Sequence, residues 1–264
     1  MIAIADGIEI SYDDVGSGLP VVFLHGFPHN RELWAPQRAA LMGQARCITP
    51  DLRGFGESTV GPPFSMDRYA DDVAALLDVL HVPRAVICGL SMGGYVAFAI
   101  WRRHRERVRA LVLCDTKAGA DSEEGREKRR DMIRLAEQRG SGAVAAALLP
   151  GMVGKTTREK RPEIAESVHG MMEAAPVAGI IGALEALMNR PDSTPTLATI
   201  DVPTLIVVGD EDALTPPSEA RALRAGIRGS VLQEIAGAGH VSNLERPAAV
   251  NHVLGEFLAT LTLM

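Results

Sequence analysis

The segment Gly89-Leu90-Ser91-Met92-Gly93 lies between the apolar run Ala85-Val86-Ile87-Cys88 and the small, helix-like run Gly94-Tyr95-Val96-Ala97-Phe98-Ala99. Strand, sharp turn and helix follow one another with no spare residue. A serine at the apex of such a turn is pushed out of the sheet, and a β-carbon at position 89 or 93 would collide with the crowded backbone. The two glycines therefore make room for an exposed hydroxyl, and the rest of the chain has to supply a sheet that holds this turn at its edge.

Residues 2–5 and 8–12 alternate around Asp6-Gly7 and predict an antiparallel hairpin. Leu19-Pro20-Val21-Val22-Phe23-Leu24 is continuously apolar, as strands buried on both faces of a parallel sheet are. A helix over residues 32–42, a strand at Ala45-Arg46-Cys47-Ile48-Thr49-Pro50 and a helix over 67–80 follow, the last with Val73, Leu76, Leu77 and Leu80 at helical spacing. After the Ser91 helix comes another buried strand, Val108-Arg109-Ala110-Leu111-Val112-Leu113-Cys114. This alternation predicts an α/β, doubly wound, mostly parallel sheet flanked by helices. From 117 to 199 the pattern is helical without a strand and is punctuated by Pro150, Pro162, Pro176, Pro191 and Pro195. The sheet pattern resumes at Val202-Pro203-Thr204-Leu205-Ile206-Val207-Val208-Gly209, with a helix over 216–225, a strand over 230–235 and a last helix over 247–261. The expected organisation is one core domain, 1–116 and 200–264, interrupted by a helical cap, 117–199.

A formal net charge of −6 leaves no basic field for nucleic acid and points to a small-molecule partner. No run of eighteen apolar residues suggests a membrane span. Cys47, Cys88 and Cys114 each fall in a strand-like run; three cysteines without a pairing pattern suggest buried free thiols and a reducing compartment, so a cytoplasmic monomer or small homo-oligomer is expected.

A serine hydroxyl is a weak nucleophile at neutral pH and needs a positioned base, which needs a carboxylate to hold its tautomer. Of seven histidines, His240 follows a strand and the flexible stretch Ala236-Gly237-Ala238-Gly239, and is the candidate base. His81, His104 and His252 belong to helices or their ends, His25 serves its own loop by hydrogen bonding, His29 is placed at the pocket mouth, and His169 faces either cleft or solvent. For the acid, Asp212 follows a strand and precedes Thr215-Pro216-Pro217, with Asp210 and Asp115 as alternatives. Ser, Asp, His is the order expected when the nucleophile sits on a strand-to-helix elbow. The Met92 N–H, at a helix N-terminus, can stabilise an oxyanion. A second donor is the Phe27 N–H in His25-Gly26-Phe27-Pro28, where Pro28 restricts Phe27 to extended conformations and Gly26 permits a tight turn. The loop Asp51-Leu52-Arg53-Gly54-Phe55-Gly56-Glu57-Ser58 reads as a structural turn pinned by an Asp51 to Arg53 network.

Through His25-Gly26-Phe27-Pro28, the Asp51 to Ser58 loop, Gly89 to Gly94, Gly209-Asp210-Glu211-Asp212 and Gly239-His240, the chain resembles the α/β-hydrolase fold superfamily along its whole length. Leu113 to Ser122 and Arg190 to Thr194 are similar to bacterial carboxylesterases related to 3-oxoadipate enol-lactonases. The resemblance implies an eight-stranded sheet, a Ser91-Asp212-His240 triad, an oxyanion hole from Phe27 and Met92, and a helical cap. The implied activity is hydrolysis of small, mainly apolar carboxylic esters through an acyl-enzyme. Lactonase, and cofactor-free perhydrolase or acyltransferase, activities are the alternatives; a non-catalytic receptor would be expected to have lost a triad member.

The cap segment offers Leu148, Leu149, Met152, Val153, Met171, Met172, Ile180, Ile181, Leu184 and Met188. His29, Met152, Met171, Met172, Leu184 and Met188 are the expected substrate contacts, although the same residues serve equally to pack the cap. Arg126, Arg130 and Arg134 alternate with Glu123, Glu124, Glu127, Asp131 and Glu137, which describes a solvated face with local ion pairs rather than a site for an anionic carrier. No phosphate loop and no metal-ligand cluster is present in the sequence, so no cofactor and no metal are expected.

Overall fold

The computed structural model describes residues 1–262. Asp6 and Gly7, with φ of 46° and 79°, make the turn between β1 (Ile2–Ala5) and β2 (Ile8–Val15). The remaining strands are β3 (Leu19–Leu24), β4 (Ala45–Pro50), β5 (Ala85–Leu90), β6 (Val108–Cys114), β7 (Thr204–Gly209) and β8 (Val231–Ile235). They form one sheet in the order β1-β2-β4-β3-β5-β6-β7-β8. β2 runs antiparallel to both of its neighbours, and every pairing from β4 to β8 is parallel.

Between the strands lie α1 (Ala35–Leu41), α2 (Met66–Val79) and α3 (Met92–Arg103), then α4 (Glu123–Met152), α5 (Lys155–Lys160), α6 (Pro162–Glu173), α7 (Val177–Met188) and α8 (Thr194–Leu197). After β7 come α9 (Pro217–Gly226), α10 (Ser242–Glu245) and α11 (Pro247–Thr262). Side chains alternate across a strand, so the continuous apolar runs divide between two cores. Ile87, Leu111 and Leu113 join Tyr69, Val73 and Leu76 of α2 and Val96 and Phe98 of α3 on one face. Val86, Cys88, Ala110 and Val112 join Leu41 of α1 and Val250, Leu254 and Leu258 of α11 on the other. Burial on both faces is the reason these strands show no polar alternation.

Between β6 and β7 the regular elements are the helices α4 to α8, joined by loops, and no strand interrupts them. α4 bends at Gly140, where φ is 76°. Its charged face carries the expected local pairs, Arg130 with Glu123 and Glu127, and Arg134 with Glu127 and Asp131. Contacts along this segment tie the helices to the core. The buried Glu245 accepts the N–H of Gly154 at 2.9 Å, Glu211 accepts that of Thr156 at 2.7 Å, and a β-carbon on Gly179 would overlap the Gly54 carbonyl.

Two local expectations need correction. Asp51 does not pair with Arg53: it accepts the backbone N–H groups of Arg31 (2.7 Å) and Glu57 (3.0 Å) and the guanidinium of Arg31. With Asp51 thus satisfied, Arg53 instead makes a two-pronged contact, 2.7 and 2.8 Å, with the buried Asp72 on α2, whose paired oxygens match the guanidinium fork. The short helix α10, immediately after His240, is too brief to leave a periodic signal and was not expected. Cys47, Cys88 and Cys114 are buried and free, as their strand positions predict. Among the described residues no single helix is long and apolar enough to cross a membrane.

Candidate active site

Parallel strands end on a common edge, and Ser91, Asp212 and His240 follow β5, β7 and β8 there. Ser91 has φ 53° and ψ −112°, a left-handed conformation costly for a residue with a β-carbon. The surroundings enforce it. Its N–H donates to the Cys114 carbonyl at 2.9 Å, and the Thr116 hydroxyl donates to the Ser91 carbonyl at 2.8 Å. A β-carbon on Gly89 would overlap the Gly93 carbonyl, and one on Gly93 would overlap the Leu24 carbonyl. Gly94 is a third required glycine, since a β-carbon there would press on the Thr116 side chain. Gly93→Ala should therefore cost roughly 3 kcal/mol and lower the melting temperature by roughly 6–12 °C in a thermal melt, because neither backbone segment can retreat cheaply; an unchanged melt would show that the elbow is looser than this packing.

The three side chains meet in line. His240 Nε2 lies 2.8 Å from Ser91 Oγ, and His240 Nδ1 lies 2.8 Å from Asp212 Oδ2. Asp212 is itself fixed: Oδ1 accepts the N–H groups of Leu214 (2.8 Å) and Thr215 (3.0 Å), and Oδ2 accepts the Thr215 hydroxyl at 2.8 Å. Burial opposes the charge on both groups. The attraction of His240 together with these hydrogen bonds outweighs it for Asp212, holding that carboxyl below its usual range. For His240 burial is again the largest influence, but Asp212, then Asp115 and Glu245, outweigh it and leave the imidazole more basic than usual. The His240 backbone N–H donates to the Met152 carbonyl at 3.1 Å, so the end of α4 helps hold this histidine.

The two other candidate acids lie elsewhere. Asp210 accepts the Gly237 N–H at 2.7 Å and is exposed. Asp115, fully buried at the end of β6, accepts the Gly209 N–H at 2.9 Å and the Ser242 hydroxyl at 2.6 Å. Burial and the nearby Asp212 push its pKa well up. It thus clasps the strand that carries Asp212 to the short helix that follows His240.

Phe27 and Met92 both border the cavity at Ser91, and among the described residues neither backbone N–H is donated to another protein group. The loop carrying Phe27 is closed by the His29 N–H donating to Gly26 O at 3.0 Å, and the Phe27-Pro28 peptide is cis. His25 serves its loop as expected: its ring contacts the Gly26 carbonyl and accepts the Leu52 N–H, both at 2.9 Å, joining two loops of the edge.

The cavity above Ser91 measures about 140 Å³. Of the expected contacts, Met152 lines it, as does Leu148 from the wider apolar set. His29 does not: it is buried outside the cavity with neither ring nitrogen hydrogen-bonded, and burial, reinforced by His25 and His240, drives its pKa down to about 3. Met172 is fully buried in the core against α4 and Met171 packs beside it, while Met188 is half-buried away from the cavity. Leu184 borders a neighbouring cavity, and Leu187, nearly one turn further along α7, takes the place expected of it. The rotation of each helix about its own axis decides which of several equivalent apolar residues faces inward. Tyr95, Lys117, Arg129, Leu214 and Thr215 complete the lining and were not expected. Lys117, two residues past the strand-end Asp115, carried the only hint in the sequence. Among the described residues no group of three or more histidine, cysteine or acidic side chains is arranged to hold a metal ion.

A family model for the alpha/beta hydrolase fold matches residues 20–247. A thermophilic esterase from Thermogutta terrifontis, solved with malate bound, is 39% identical with a TM-score of 0.95, covering 99% of this chain and 98% of its own. The enol-lactonase from Burkholderia xenovorans LB400 is 31% identical with a TM-score of 0.91, covering 98% and 100%. Among curated proteins, the AB hydrolase superfamily protein YisY of Bacillus subtilis (strain 168) is 32% identical, covering 95% of each chain.

Proposed function

The chain belongs to the α/β hydrolase fold family, and within it we propose that it is a carboxylic ester hydrolase working through an acyl-enzyme on Ser91. The observation that carries this reading is the unbroken line Asp212–His240–Ser91, two contacts of 2.8 Å. Ser91 Oγ attacks the ester carbonyl while His240 Nε2 takes its proton. The carbonyl oxygen becomes an oxyanion held by the Phe27 and Met92 N–H groups, each such donor being worth roughly 3 kcal/mol in the transition state. The intermediate collapses, His240 returns the proton to the departing alcohol, and a water activated by the same base releases the acid. Perhydrolysis or acyl transfer would use the same acyl-enzyme with a different acceptor. The three buried thiols support a reducing, cytoplasmic setting.

A lactonase is the second reading, favoured by the likeness to the Burkholderia enol-lactonase. The test is a panel of 4-nitrophenyl esters of increasing acyl length beside small lactones. The cavity of about 140 Å³, close to the size that holds a benzene ring, leads us to expect turnover that falls steeply beyond short acyl groups. Failure to hydrolyse any ester or lactone would overturn the proposal.

The base must be neutral to accept the serine proton. Because Asp212, Asp115 and Glu245 together outweigh burial and raise the pKa of His240 above 6.5, activity should be full at higher pH and be lost as the pH falls through that raised value. A profile of kcat/KM should show a single-proton acidic limb with its midpoint above 6.5. A midpoint at or below 6.5 would contradict the electrostatic arrangement.

A further inference from the structure

Two glutamates close in sequence to Asp212 and His240 reach from the core to one short piece of the inserted helices, the passage from α4 into α5. Glu211, beside Asp212, accepts the Thr156 N–H at 2.7 Å and the Thr156 hydroxyl. Glu245, on α10 just past His240, accepts the Gly154 N–H at 2.9 Å with one oxygen and the Gly239 N–H at 2.8 Å with the other. Gly154 stands before α5 with no side chain to cap it, so the two carboxylates supply acceptors that the start of this helix lacks. The two backbones press together. A β-carbon on Gly239 would lie 2.3 Å from the Gly154 nitrogen, and one on Gly154 would lie 2.8 Å from the Gly239 nitrogen. Their neighbours join the contact, since the His240 backbone N–H donates to the Met152 carbonyl at 3.1 Å.

Ester hydrolysis gives Glu245 no chemical step, and it does not line the cavity at Ser91. Yet it is fully buried, and a carboxylate out of water is costly unless donors match its oxygens. Here the donors come from two separate pieces of chain, one before His240 and one between α4 and α5. Arg161 and Arg246 bond to the Glu245 main-chain carbonyl, at 3.0 and 2.8 Å. We propose that Glu245 is a positioning residue for His240: by bridging Gly239 and Gly154 it sets the His240 loop against the inserted helices, so that the imidazole meets Ser91 only while this part of them is seated. This rests on the reading of His240 as the base of an ester hydrolase. His240 is faced by Asp212 after β7, Asp115 at the end of β6, His29 in the loop after β3 and Glu245 on α10. Of these, among the described residues, only Glu245 is also hydrogen-bonded to the inserted segment.

Two substitutions test this from opposite sides. Glu245→Gln keeps the shape but turns an amide NH₂ towards one of the two N–H groups, so one backbone must yield. Gly154→Ala suits the local backbone, at φ −61° and ψ 155°, but wedges a methyl between the same two segments and removes no charge. Each variant should lower kcat by roughly 10- to 100-fold with KM moved by less than about threefold, because a displaced base is felt in the transition state rather than in binding. The acidic limb of kcat/KM should move to lower pH in both. Burial disfavours the charged imidazole, and a lengthened His240 to Asp212 contact weakens the main attraction that opposes it. In Gly154→Ala that shift has no other source, since every carboxylate is kept. A Glu245 that serves stability alone would lower the melting temperature and leave kcat and the limb of the folded protein in place. Folded variants with kcat within about twofold of the wild type and an unmoved limb overturn the proposal. If Glu245→Gln does not fold, Gly154→Ala decides by itself. If the wild type hydrolyses no ester, the reading of Ser91 fails separately, and NMR titration of ¹⁵N-labelled histidine gives the His240 pKa without substrate. A value lowered in Gly154→Ala upholds the positioning role, and an unchanged one overturns it.

Discussion

Ser91→Ala should lower kcat for ester hydrolysis by at least about 10⁴-fold while leaving the fold intact. The Ser91 hydroxyl is the only atom removed, and what holds the elbow is backbone: the Ser91 N–H on Cys114 and the Ser91 carbonyl under the Thr116 hydroxyl. The variant should therefore melt within a few degrees of the wild type, or slightly above it. A fluorophosphonate probe should add its mass to Ser91 in the wild type and leave the variant unmodified. If the alanine variant hydrolysed esters at the wild-type rate, the proposed nucleophile would be wrong, whatever the geometry around it.

Asp212→Asn should be nearly as damaging, with kcat reduced by roughly 10⁴-fold. The carboxylate accepts the proton of His240 Nδ1 at 2.8 Å, which leaves Nε2 free to accept from Ser91. An asparagine amide can donate to Nδ1 instead, moving the imidazole proton to Nε2, where it faces the serine and blocks proton transfer. The acidic limb of the pH profile should also move down, since Asp212 is foremost among the groups that raise the His240 pKa against burial. Asp115→Asn provides the contrast. Asp115 accepts hydrogen bonds from Gly209 and Ser242 and makes none with His240, so its loss should lower activity far less than the loss of Asp212. A larger loss at Asp115 than at Asp212 would reverse the assignment of the acid.

That contrast also marks the limit of what local reading can do. Asp115, Asp210 and Asp212 all follow strands, and the sequence puts Asp212 first, by its place before Thr215-Pro216-Pro217, with the other two as alternatives. The choice among them depends on a histidine 28 residues beyond Asp212, and on the Thr215 donors that turn Asp212 towards it. The same limit appears at Asp51 and Arg53, close in sequence yet bound to Arg31 and Asp72. It appears again at the cavity wall, where Leu187 rather than Leu184 faces Ser91, and where Lys117 and Arg129 interrupt a lining expected to be apolar.

What the residues determined by themselves is everything that depends on a few neighbouring positions. Continuous apolar runs between helical periodicities specify the strands and their burial on both faces. Asp6-Gly7 specifies the first hairpin, and Gly89 and Gly93 specify a turn that only they can fill, with Ser91 at its apex. These follow from backbone sterics and hydrophobic periodicity, which act over one or two turns of chain. What only the tertiary structure decided is which distant groups meet. The Ser91 to His240 contact spans 149 residues, Asp121 is shared between Arg129 and Arg190, and the cavity exists only between the sheet edge and helices inserted some thirty residues later. Such contacts depend on how each helix is rotated against its neighbours, and apolar residues one turn apart are nearly equivalent until packing chooses between them.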